Sequence, residues 1–208
     1  MKNKKEIDKI LDALEELYPD AQCELNYRTP FELLVATMLS AQTTDIKVNQ
    51  VTEKLFEKYK GPEEFVDAAI EELESDIKVI GLYRNKAKNL KKMSEAILTD
   101  YNGVVPDTKE ELIKLAGVGT KTANVVLSNA FNVPAIAVDT HVFRVANRIG
   151  LAQGKDVKIT EEQLRENIKI DRWSKAHHLL IFHGRRCCKA RKPDCENCKI
   201  NHYCEFFI

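Results

Sequence analysis

Apolar residues return at helical spacing along almost the whole of this chain: Ile7, Ile10, Leu11, Leu14 and Leu17, then Phe31, Leu34, Val35, Met38 and Leu39, then Val48, Val51, Leu55 and Phe56. Side chains that meet a core every three to four residues specify a helix, whereas a half-buried strand alternates every second residue. Pro19, Pro30, Gly61-Pro62, Gly81, Gly103, Pro106, Gly117, Pro134, Gly150 and Gly154 punctuate the pattern into segments of roughly 10 to 15 residues. The fold class this predicts is all-α, with about nine or ten helices. Thr108 followed by Glu111 reads as a capping box opening a short helix that runs to Ala116 and feeds a pair of glycines.

With 208 residues the chain has room for one large domain or two small ones. No repeat, low-complexity tract or Pro/Ser linker marks a boundary, so compact turns must cross it, and Asn132-Val133-Pro134 is the expected place. The amphipathic, charged run at residues 6–17 replaces the apolar segment a secretory leader needs. The longest apolar runs, residues 31–39 and 134–138, are too short to span a bilayer. The expectation is a soluble protein of the cytoplasm with no membrane partner. Its 32 basic residues balance 32 acidic ones, so nucleic-acid binding cannot be argued from net charge. Arg84, Lys86, Lys88, Lys91 and Lys92 form one basic run, and Arg185, Arg186, Lys189, Arg191 and Lys192 another, while residues 63–76 are acidic. Taken alone, these read as solvated faces.

In Leu115-Ala116-Gly117-Val118-Gly119-Thr120-Lys121 two glycines bracket one valine between helical segments. Such a turn exposes amides at the start of the following helix. Those amides, with the positive helix end, hold a phosphate whatever the base sequence. An ordinary helix-to-helix turn is the alternative. Lys121 falls in the first turn of that helix, where the macrodipole disfavours a cation and any burial would add to the effect. A neutral amine is a nucleophile that can attack a sugar carbon and form a Schiff base; a solvated lysine is the plainer reading. Asp139, ahead of Thr140 and a helical run to Ile149, has the position of an N-cap, which keeps a carboxylate ionised.

Four of the six cysteines, Cys188, Cys195, Cys198 and Cys204, are spaced C-x6-C-x2-C-x5-C. Thiols this close read as one metal site, and four-cysteine sites hold zinc or iron. One C-x2-C pair with unequal arms differs from the two pairs of a zinc ribbon without choosing between the metals. Cys23 and Cys187 are left over, and in a reducing compartment neither needs a partner. His177, His178 and His183 have no carboxylates at helix spacing and read as core or interfacial residues.

The run LAGVGTKTANVV (residues 115–126), then IAVDTHVFRV (residues 136–145), then the quartet, resembles the endonuclease III family, bifunctional DNA glycosylases of the helix-hairpin-helix superfamily. The resemblance covers nearly the whole chain and includes LSAQTTD (residues 39–45) and IGLY (residues 80–83). It implies two helical domains with a DNA cleft between them. Residues 22–132 would form a helical bundle containing the hairpin, and residues 1–21 plus 133–208 a domain with a C-terminal loop around a 4Fe-4S cluster. The four cysteines would hold that cluster. Damaged double-stranded DNA is the implied partner, bound by a monomer that is nucleoid-associated when on DNA.

Carried over by position, the resemblance makes Lys121 the nucleophile and Asp139 the carboxylate that assists it. Gln42 would fill the space an extruded nucleotide vacates, and Leu82 would wedge the base stack. On residue chemistry alone Leu82, after Gly81, also fits the apolar contact of a helix cap, and Gln42 a loop amide. Gly117, Val118, Gly119 and Thr120 would face phosphates, as would Lys189, Arg191 and Lys192. His141 and Arg144, one turn apart beside Asp139, would contact DNA or brace their helix. Ala116 stands where the family hairpin often has proline. The implied activity is removal of oxidised or ring-saturated pyrimidines, followed by β-elimination 3′ of the abasic site through a lysine Schiff base. Two alternatives remain: an adenine-mismatch glycosylase, which normally lacks a lysine at the position of Lys121, and a non-catalytic hairpin module.

Overall fold

The computed structural model describes residues 1–207. Among these, eleven α-helices follow in order: α1 (Lys4–Leu17), α2 (Pro30–Leu39), α3 (Asp45–Lys58), α4 (Pro62–Asp67), α5 (Ile70–Asp76), α6 (Tyr83–Tyr101), α7 (Lys109–Leu112), α8 (Thr120–Ala130), α9 (Thr140–Ile149), α10 (Val157–Asn167) and α11 (Trp173–Arg186). Two 3-10 turns complete the list and no strand is found among the described residues, so the fold is all-α. Packing divides the chain into two compact units, Glu24–Val133 on one side and Met1–Cys23 with Pro134–Ile208 on the other. The sequence expectation set these limits at 22–132 and at 1–21 plus 133–208.

In the Glu24–Val133 unit every residue of α2 after Pro30 is buried, and α2 packs on α3, α6 and α8. Its start is written locally: Thr29 Oγ1 accepts the amide of Glu32 at 3.1 Å and Pro30 occupies the first turn, where no amide is needed. Glu32 is the one acid in that apolar run and is only 3% exposed. Arg28 answers it, donating from Nε and Nη2 to Oε1 at 3.1 and 2.9 Å and from its amide to Oε2 at 2.6 Å. A buried carboxylate persists only with such pairing. The long α6 carries α4 and α5 on its side, and α7 packs on α8.

The basic run at residues 84–92 is not the uniform solvated face its composition predicts. Lys86 is 5% exposed and donates to the carbonyls of Leu39 and Ala41. Lys91 likewise donates to the carbonyls of Val66 and Ala68. A second correction concerns the helix expected to reach Ala116, which stops at Leu112. Thr108 Oγ1 accepts the Glu111 amide at 3.4 Å, but the Glu111 carboxylate turns to the Tyr101 hydroxyl and Lys114 ammonium, 2.6 Å from each. The box therefore closes on one side only. Beyond it Lys114, Leu115 and Val118 bond to carbonyls three residues back, each at 3.1 Å, and the tighter turn ends the α-helix.

In the other unit Ile7, Leu11 and Leu14 of α1 share a core with Val142, Val145 and Ile149 of α9 and Leu180 of α11. A full capping box starts α1: Asn3 Oδ1 accepts the Glu6 amide and Glu6 Oε2 accepts the Asn3 amide, both at 3.0 Å. α11 packs on α9 and α1, and α10 on α9. No described helix is long and apolar enough to cross a membrane.

Candidate active site and cluster loop

The hairpin needs its first glycine for two separate reasons. Gly117 has φ +78°, and a Cβ there would come within 2.8 Å of Asn89 Nδ2. Val118 is buried and holds the turn against its unit. Gly119 differs: it caps α8 with φ −98° and no side-chain bond, and a Cβ on it would meet nothing within 4 Å. Nothing within the chain crowds this glycine. Gly119 and Thr120 are exposed, so the first amides of α8, which have no acceptor one turn back, open toward solvent. Lys121, second residue of α8, is exposed. The burial that would have reinforced the macrodipole is not supplied by the chain.

Asp139 is the N-cap of α9, as its position before Thr140 predicts. Its Oδ1 accepts the amides of His141 and Val142, each at 2.8 Å. Both bonds fall on one oxygen, which orients the carboxylate. His141 is half-buried, and burial, partly offset by the Asp139 charge, holds its imidazole below its usual pKa. Arg144 donates to the carbonyl of Cys188 through Nε at 3.2 Å and Nη2 at 3.0 Å, and to that of Gly184 at 3.0 Å. Of the two roles the sequence left open for Arg144, this geometry favours bracing.

Gln42 and Leu82 are both exposed and both adopt φ +58°. The left-handed region costs a side-chain-bearing residue about 1–2 kcal/mol, so surrounding structure must hold each one. Leu82 is 61% exposed at the start of α6, which removes the reading of it as a packed helix cap.

Cys188, Cys195, Cys198 and Cys204 line a single pocket, none in a disulfide, with Cys188 and Cys204 buried. Arg148 Nη1 lies 3.5 Å from Cys188 Sγ and also donates to the Lys189 carbonyl at 2.8 Å, while Nη2 reaches Ala190 at 3.2 Å. Four cysteine sulfurs around one pocket are the donor set that a four-cysteine cluster takes, so the residues present fit an iron–sulfur cluster. His183 and Cys187 also border the pocket, and with Cys198 their ligand atoms lie within 4.8 Å of one another. His183 Nδ1 is 3.0 Å from the Tyr18 hydroxyl, and Nε2 is 3.7 Å from Cys198 Sγ. The core or interfacial place expected for His183 agrees with its burial, while its nearness to Cys187 and Cys198, like the placement of Arg148, has no signal in the sequence. Lys189, Arg191 and Lys192 are exposed on the loop that Arg148 grips.

Residues 35–169 match the HhH-GPD superfamily base excision DNA repair protein, which sets the class of the chain. Residues 188–204 match the iron-sulfur binding domain of endonuclease III. Endonuclease III of Bacillus subtilis (strain 168) is 53% identical over 205 residues, covering 98% of this chain and 94% of that one. Two solved structures, a trapped endonuclease III–DNA covalent intermediate and a non-covalent endonuclease III–DNA complex, are each 50% identical with a TM-score of 0.95. They cover all of this chain and 98% and 97% of their own. The chain belongs to the endonuclease III family, bifunctional DNA glycosylases that also cleave abasic sites, and its cofactor is a 4Fe-4S cluster.

Proposed function

We propose that this chain excises oxidised or ring-saturated pyrimidines from duplex DNA and then cuts the abasic site on its 3′ side, working as a monomer. One observation carries the reading. Four consecutive residues, Val118 to Lys121, combine an uncrowded glycine, open helix-start amides and an exposed amine. The amides suit a phosphate, and the amine suits the sugar beside it.

Lys121 Nζ attacks C1′ of the damaged nucleotide, forming a C–N bond as the glycosidic bond breaks and its electron pair leaves with the base. Asp139, held by two amides at the positive end of α9, stabilises the oxocarbenium character of that step. The sugar ring then opens: the C1′–O4′ bond breaks as C=N forms, a proton passes from the nitrogen to O4′, and a protonated Schiff base to Lys121 remains. The imine acidifies the C2′ hydrogen, and its removal expels the 3′ phosphate.

Access requires the nucleotide to leave the duplex. Gln42 fills the gap and Leu82 wedges the stack; an apolar side chain held exposed in a costly backbone conformation supports that role. Lys189, Arg191 and Lys192 face phosphates, and Arg144 braces α9. Cys188, Cys195, Cys198 and Cys204 would hold the cluster, and the cross-link it would supply would keep the basic loop rigid.

The test is borohydride reduction of the protein on a duplex carrying one thymine glycol. A covalent adduct should form with the parent and vanish in Lys121→Ala. An adduct that survives the substitution overturns the assignment of the nucleophile.

A further inference from the structure

Lys86 places an ammonium group inside the Glu24–Val133 unit, 5% exposed, with backbone carbonyls for company. It donates to Leu39 at 2.9 Å and to Ala41 at 2.7 Å. Leu39 ends α2 and Ala41 immediately precedes Gln42, so the lysine caps a helix end whose carbonyls have no helical donors. The negative end of the α2 dipole explains why a cation is tolerated there. Burial still pulls its pKa below the usual lysine value.

The same residue sits one turn into α6, where its amide donates to the Leu82 carbonyl at 3.1 Å. Beside it, the Gln42 carbonyl oxygen lies 4.0 Å from where a Cβ on Gly81 would stand, ordinary van der Waals contact. Thus the two exposed left-handed residues, Gln42 and Leu82, lie on adjoining turns, and one side chain bolts those turns together. Neither turn holds its conformation by backbone preference, so the bolt has something to do.

We propose that Lys86 is a positioning residue: by tying the Leu39 and Ala41 carbonyls to the start of α6, it holds Gln42 and Leu82 in the fixed register with which they enter the duplex. This role rests on the functions proposed above for Gln42 and Leu82. A hydrocarbon of similar length would fill the same space, but it would take the donor from the buried Leu39 carbonyl, leave the Ala41 carbonyl with only Thr43 Oγ1 at 3.5 Å, and free the Gln42 turn to shift.

The experiment compares Lys86→Met, Lys86→Arg, Gln42→Ala and Leu82→Ala in the full, cluster-loaded chain. Two rates are read for each: release of thymine glycol from a duplex, and Schiff-base trapping on a single-stranded abasic oligonucleotide, which has no stack to open. A 2-aminopurine placed opposite the lesion reports the opened duplex by its fluorescence. For Lys86→Met the ratio of duplex to single-stranded rates should fall roughly 10- to 100-fold, the scale of a misplacement near 1 Å. The 2-aminopurine signal should fall with it. Lys86→Arg, which keeps a donor, should recover most of the ratio, and Lys86→Met combined with Gln42→Ala should add little to either alone. Equal loss of both rates in Lys86→Met marks a general structural role and overturns the proposal. If Gln42→Ala and Leu82→Ala lower the ratio while Lys86→Met does not, the Lys86 role alone is wrong. If all three leave the ratio unchanged, the roles of Gln42 and Leu82 fail first. Should Lys86→Met not fold, Lys86→Gln is read in its place with the same outcomes.

Discussion

Asp139 Oδ1 accepts the amide of Val142 at 2.8 Å, so the carboxylate proposed to assist base release is also the cap of its helix. The two duties separate by substitution. Asparagine caps as well as aspartate, so Asp139→Asn should melt within a degree or two of the parent while thymine glycol release slows at least ~100-fold. Asp139→Ala should lose the same activity and about 1 kcal/mol of stability besides. Single-turnover rates and thermal melts check both; an Asp139→Asn protein as fast as the parent removes Asp139 from the chemistry.

The hairpin glycines should respond in opposite ways. Gly117→Ala forces a side chain into a left-handed backbone and against Asn89, so it should cost about 1–2 kcal/mol or more and lower the melting temperature. Gly119→Ala meets no neighbour, so its stability change should stay below about 1 kcal/mol. Its affinity for duplex DNA should nevertheless drop, because the new methyl group would stand in the way of the phosphate proposed to bind there. Unaltered binding by Gly119→Ala would show that no backbone phosphate sits there.

Cys187 and Cys188 adjoin, yet only Cys188 is assigned to the cluster. Cys188→Ser should lose most of its iron and its visible absorbance, whereas Cys187→Ser should keep both. Iron analysis of the two purified variants decides the matter, and the reverse pattern would move the ligand to Cys187, beside His183.

Acid should weaken the fold partly through His178. Burial first, then the charges of Lys175 and Arg185, push its imidazole from 6.5 down to about 4. In the unfolded chain the group protonates near pH ~6.5, so between these values the unfolded state binds the extra proton. The penalty is absent above that range and grows as pH falls toward 4. His178→Gln should therefore lose less stability than the parent between pH 7.5 and pH 5, by about 1–2 kcal/mol. Denaturant melts at the two pH values test this, and parallel losses would show that His178 does not titrate in the folded chain as described.

Much was legible without coordinates because it is short-range. Pro30 stands at the start of α2, Asp139 starts α9 by contacts two and three residues long, and the glycine pair turns the chain between α7 and α8. The left-handed state of Gly117 follows the same logic. Thr108 and Glu111 show the limit even at that range: the spacing is right, but Tyr101 and Lys114 compete for the Glu111 carboxylate. Competition of this kind has no signature in a spacing.

The helical class, the hairpin and its lysine, the capping aspartate and the proximity of four thiols can all be read along the chain, since each depends on near neighbours or on a motif matched by position. What the long side chains do emerges from packing across distant segments. Lys86 finds the Leu39 carbonyl across 47 residues, Arg144 the Cys188 carbonyl across 44, and Arg148 the Lys189 carbonyl across 41. In the sequence they are three more cations in basic or mixed runs. A buried ammonium or guanidinium takes its meaning from the acceptors packed around it, and those acceptors are backbone carbonyls, which every residue carries and no residue type announces.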